Sequence, residues 1–175
     1  MRHAGYFDEA AVSSRPRAVS DLVVGGAGAG SLAGAAMLLW ATVSAAFLDL
    51  SPAHPLELTG ATFIGSEALD GVPAMLYGLL LWAVVSAALG IVYAALIPRD
   101  FPFDGAALLG VGYSFVVLAM MTSVVLPGVN PDLHAELPAM GGSWVIAYVV
   151  FGVLLGLAPV LRRSAARRGR APFGA

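Results

Sequence analysis

The chain predicts an all-α integral membrane fold: a bundle of four transmembrane helices with both termini cytoplasmic. Three observations lead there. Of 175 residues, 59% are hydrophobic and 11% charged, whereas a soluble domain needs about 25% charged residues to cover its surface. Four uncharged runs are each long enough to span a bilayer, which takes about 20 apolar residues in a helix. The nine basic residues, all arginine, fall in alternate connections between those runs.

In chain order, residues 1–21 read as a polar cytoplasmic tail. Ser20 or Asp21 can cap the helix that follows, and Asp21 also suits the positive end of its dipole. The spans are placed at about 22–48, 72–96, 106–126 and 143–161, and residues 162–175 form a basic cytoplasmic tail. The first run starts too late and is too long for the apolar core of a cleaved signal peptide. Pro73 lies in the first turn of the second span, where its missing N–H costs little. Pro98 and Pro102 help stop that span, Pro127 and Gly128 end the third, and Pro159 falls in the last turn of the fourth.

The arginines lie in the two tails and at Arg99 in the short 98–105 link, and none lies in loops 49–71 or 127–142. The positive-inside rule then places both loops outside, in a bacterial inner membrane. The first loop is longer than a plain connection needs. Within it, Ser66-Glu-Ala-Leu is expected to start a short surface helix, or Ala61–Ile64 to dip into the interface. A weak repeat links Ser51-Pro-Ala-His-Pro-Leu-Glu-Leu to Asn130-Pro-Asp-Leu-His-Ala-Glu-Leu, and Pro73-Ala-Met to Pro138-Ala-Met. Two hairpins of like orientation would be related by an axis along the membrane normal; chance recurrence of Pro-rich motifs before helices is the plainer explanation.

The opening of the first span has two incompatible readings. Gly28-Ala-Gly30-Ser-Leu-Ala33 after Leu22-Val-Val, with Asp49 about 20 residues on, fits a dinucleotide-binding fingerprint. The strand-helix units that such a domain requires are missing, because three more membrane-length runs follow. Helix geometry accounts for the same glycines: Gly26, Gly30 and Gly34 share one face as successive GxxxG motifs. Ser86 with Gly90, and Gly152 with Gly156, repeat the spacing. Lipid gives helices no hydrophobic reward for associating, so close packing at such faces must supply it. The partner face lies either within the bundle or on another chain.

No Asp, Glu, His, Lys or Arg lies inside a span, which disfavours ion-coupled transport and haem ligation between helices. Cysteine is absent, which removes disulfide and thiolate chemistry. No cofactor is predicted, although Trp40, Phe47, Tyr77 and Trp82 are candidates for the wall of a lipid, quinone or pigment slot; ordinary packing is the plainer alternative. Outside, His54 with Glu57, and Asp132, His134 and Glu136, are the candidate metal ligands. Two imidazoles of unknown separation fall short of a site. The arginines Arg162, Arg163, Arg167, Arg168 and Arg170 are expected near anionic headgroups. Nucleic-acid binding is not expected, since no aromatics are interleaved with them.

These features favour a non-catalytic accessory or structural subunit of a larger bacterial membrane complex, such as respiratory or other electron-transfer machinery, with other membrane subunits and lipids as partners. One alternative is a small oligomeric transporter or channel with a pathway through Ser44, Ser86, Ser114 and Thr122. Another is an outer-surface metal-binding protein using His54 and His134.

Overall fold

A computed structural model describes residues 9–64, 72–129, 131, 134 and 142–168. The described chain is helical, with no strand. Its helices are α1 (Glu9–Phe47), α2 (His54–Ile64), α3 (Val72–Leu96), α4 (Phe103–Met120), α5 (Leu126–Val129), α6 (Ser143–Leu155) and α7 (Ala158–Arg168). Four stretches are long and apolar enough to cross a membrane: Val19–Phe47, Val72–Leu96, Phe103–Val129 and Ser143–Arg167.

The helix ends show where side chains override hydropathy. α1 reaches back to Glu9, so the residues expected as a tail continue the first helix. It stops at Asp49, whose φ of 55° makes it the left-handed cap residue. The Leu48 and Leu50 N–H groups both turn back to Ala45 O, at 3.0 and 2.9 Å, satisfying carbonyl capacity that the helix end would leave open. Asp49 therefore terminates a helix instead of standing where a ribose would be held.

The helix in the first long loop begins at His54, upstream of the expected start at Ser66; residues 65–71 lie outside the described set. Its start has a local cause. Ser51 Oγ accepts the Ala53 N–H at 3.2 Å, Pro55 sits in the first turn, and Glu57 faces the positive end of the dipole.

The third span runs through Pro127 to Val129 instead of stopping before it. Residues Met121–Val125 form a π turn between α4 and α5, and the Leu126 N–H reaches back five residues to Met121 O. A proline ring would clash with the carbonyl four residues earlier in a regular α-helix, and the wider turn relieves that clash. In the fourth span Pro159 has the same effect by another route. The Gly156 and Leu157 N–H groups tighten to Val153 O and Leu154 O, at 3.1 and 3.0 Å, which separates α6 from α7.

α1 is the hub. One face packs along α3, and the other packs on α6 and α7; α4 packs on α6, and α2 lies against α3. Burial follows this order: the third span buries 17% of its apolar window, the first and fourth 39% each.

Candidate functional site

Two kinds of seam define the interior, and the first is shut by glycine. A Cβ added at Gly30 would sit 2.1 Å from Ser86 O, and one at Gly90 would sit 2.3 Å from Gly26 O. At Gly34 it would meet Ser86 Oγ at 2.3 Å. The backbones of α1 and α3 touch here, so the GxxxG face of the first helix finds its partner within the chain. The α4/α6 seam is built alike: a Cβ on Gly110 would sit 2.1 Å from Gly152 O, and one on Gly156 2.8 Å from Ala107 Cα.

The second kind is open. α3 and α4 do not pack along their length; two tyrosines join them near the end of the bundle that carries Arg99. Tyr113 Oη donates to Leu89 O at 3.2 Å, and Tyr93 Oη donates to Ala106 O. Their rings are 5.4 Å apart, tilted by 48°.

Beyond this bridge the helices part around a cleft of about 550 Å³. Leu81, Val85 and Leu89 of α3 face Val117, Leu118 and Leu126 of the third span. Trp144, Tyr148 and Phe151 of α6 form the back. Pro55, Leu58 and Thr59 of α2, with His134, border the far end. The π turn places Met121 and Thr122 on the wall, consistent with the tendency of such turns to occur where a helix borders a site.

Most polar groups around the cleft are already engaged. Thr59 Oγ1 donates to Pro55 O at 2.7 Å, Thr122 Oγ1 to Leu118 O at 2.9 Å, and Trp82 Nε1 to Gly34 O at 2.9 Å. Ser86 is buried with its Oγ against Gly34. Among the described residues the Tyr148 hydroxyl makes no hydrogen bond, and it is not sealed from open space.

The four aromatic candidates do not form one slot. Trp82 lines the cleft. Trp40 lies in the α1/α6 seam, donating to Ser143 O at 3.1 Å beside a Ser143–Ser44 hydroxyl bond of 2.7 Å. Tyr77 is half-buried outside the cleft wall, and Phe47 is 85% exposed. The histidines also separate: His54 borders a small void of about 40 Å³ beside Trp40, and His134 borders the cleft. Glu57 is in the first turn of α2, while Asp132 and Glu136 lie outside the described residues. Among the described residues no three His, Asp or Glu side chains gather as a metal site.

The arginines divide as well. Arg162 Nη1 donates to Ala94 O at 2.8 Å and Ile97 O at 3.0 Å, capping the C-terminal end of α3. Arg163 Nη1 donates to Arg99 O at 3.2 Å, and Arg99 lies 3.9 Å from Asp21. Arg167 is exposed, Arg168 is the last residue of α7, and Arg170 is outside the described residues. Arg162 is therefore a helix cap within the bundle end, and its position in a basic run concealed that role.

Sequence reasoning missed Tyr93, Tyr113, Tyr148 and Gly110. The signal was available for the tyrosines: a phenol within an apolar span needs a partner for its hydroxyl. Comparison with known proteins yields no match to a family model, a curated protein or a solved structure.

Proposed function

We propose that this chain is a self-contained, non-catalytic membrane protein that holds an apolar or amphipathic small molecule in the cleft between α3 and α4. The observation that carries the proposal is the cleft itself. Its volume of about 550 Å³ falls within the 300–1,000 Å³ typical of small-molecule sites, which are mostly apolar with few polar groups. Membership of a bacterial inner membrane, with both termini cytoplasmic, rests on the arginine distribution. The two-hairpin organisation gains support from the matching closure of α1 on α3 and α4 on α6 by small residues.

The accessory-subunit reading loses its packing argument, because Gly26, Gly30 and Gly34 are covered by α3. The channel reading has less support, although Ser86 and Thr122 both border the cleft. Ser44 bonds Ser143, Ser114 back-bonds to Val111 O, and Ser86 faces Gly34, so these hydroxyls lie in different seams.

The test is purification in mild detergent followed by native mass spectrometry and organic extraction. The expected result is a single chain carrying one retained apolar molecule, lost in Val85→Phe. A bare chain would overturn the proposal. A chain that is stable only with co-purifying subunits would restore the accessory role.

A further inference from the structure

We propose that the cleft is one-ended and takes an amphiphile whose carbonyl-bearing head sits at the α2 end and whose linear apolar tail points toward Tyr113. This rests on the cleft being a ligand site and adds the chemical class and orientation of the ligand. From Leu81 to Leu89 the α3 wall descends about 12 Å at the helical rise of about 1.5 Å per residue. At the bottom, Leu89 both lines the cleft and accepts the Tyr113 hydroxyl. The tyrosine bridge therefore lies just beyond the floor formed by Leu89, Val117 and Phe151 and ties α3 to α4 there, so the cleft is read as closed at that end.

Polarity is graded along that depth. Val85, Leu89, Val117 and Phe151 surround the floor and offer only carbon to the space, because the Ser86 hydroxyl beside them is turned to α1. The opposite end has the His134 imidazole and the Tyr148 hydroxyl. Long helical side chains lean toward the helix N-terminus, and α6 begins at Ser143, so Tyr148 leans toward the same end as Trp144 and His134. An unpaired phenol in an apolar wall favours a ligand acceptor over plain hydrocarbon, since leaving it unpaired costs free energy. With the arginine end in the cytoplasm, that mouth faces the outer leaflet. An ester carbonyl of a glycerophospholipid and the carbonyl of an isoprenoid quinone share the required chemistry.

Trp144 near the mouth and Trp82 deeper give two built-in depth probes. The experiment uses the full chain in detergent with Trp40→Phe, and either Trp82→Phe or Trp144→Phe, so that one indole reports. The probe is lysophosphatidylcholine with its acyl chain brominated near the ester or near the methyl end. Saturable quenching is expected, with head-proximal bromine quenching Trp144 at least twice as strongly as Trp82, and tail-end bromine reversing that order.

Tyr148→Phe should weaken binding roughly fivefold, the worth of one neutral hydrogen bond, while leaving a bromoalkane unaffected. Equal quenching of both indoles by both probes, or no effect of Tyr148→Phe on the ester probe, overturns the orientation while leaving a ligand site in place. No saturable quenching by any probe overturns the site itself. Competition by unlabelled diacyl phospholipid against isoprenoid quinone identifies the source, and displacement by neither counts against the proposed class.

Discussion

The two faces of α3 behave oppositely. Toward α1 it presents Ser86 and Gly90 and closes to backbone contact; toward α4 it presents Leu81, Val85 and Leu89 and stays apart. Both faces lie in the same span, so hydropathy does not separate them. Side-chain size does. In a lipid environment, where apolar surface has no general drive to associate, small residues let backbones approach closely enough for dispersion to hold them. Branched residues on both sides of a seam keep it wide. The cleft therefore follows from the absence of a small-residue face on that side, reinforced by the Tyr93 and Tyr113 bridge at one end and α2 at the other.

The largest expected effect comes from breaking the shut seam. Gly30→Leu should cost about 3 kcal/mol or more, because even a methyl group would meet Ser86 O at 2.1 Å. Unfolding in mixed micelles, followed by circular dichroism, reads it, and a change under about 1 kcal/mol would show that the backbones are not in contact. Arg162→Gln should come next, at about 2 kcal/mol, since two charge-assisted bonds to the end of α3 are lost. Arg162→Lys should recover part of that loss by keeping the charge.

Smaller effects test the open seam. Tyr93→Phe removes the buried bond to Ala106 O and should cost about 1 kcal/mol. Val85→Phe projects into the cleft and should change stability by less than about 1 kcal/mol while removing the bound molecule. The smallest effect is the control: Gly112 has open space where its Cβ would go. Gly112→Ala should be neutral or stabilising by up to about 1 kcal/mol from helix propensity alone, in contrast to Gly30.

The four spans were legible because length and charge exclusion are properties of a run, independent of its neighbours. The glycine spacing was legible too, but its partner was not: Ser86, Gly90, Gly152 and Gly156 offered comparable faces, and only the assembled bundle pairs the first helix with α3. Gly110 went unnoticed although Ala106, Gly110 and Ser114 repeat along α4 the small-residue spacing that Ser86 and Gly90 carry on α3, and all three are buried. The start of α2 at His54, just after Ser51-Pro52, was hidden by reading that segment as half of a repeat. The cleft was illegible for a deeper reason. It consists of contacts that α3 and α4 do not make, and no local residue pattern encodes a missing contact. Asp49 and Arg162 show the related case of a charged residue whose task is capping a helix, which requires knowing where that helix ends.

The most direct test of the contrast is solid-state NMR of the labelled protein in bilayers. A through-space cross-peak between Gly30 Cα and Gly90 Cα is predicted, together with contacts from the Val85 and Leu118 methyls to acyl or isoprenoid protons of a bound molecule. Direct Val85–Leu118 methyl contacts without ligand signals, or loss of the Gly30–Gly90 cross-peak, would contradict a bundle with one seam shut by glycine and the other held open around a ligand.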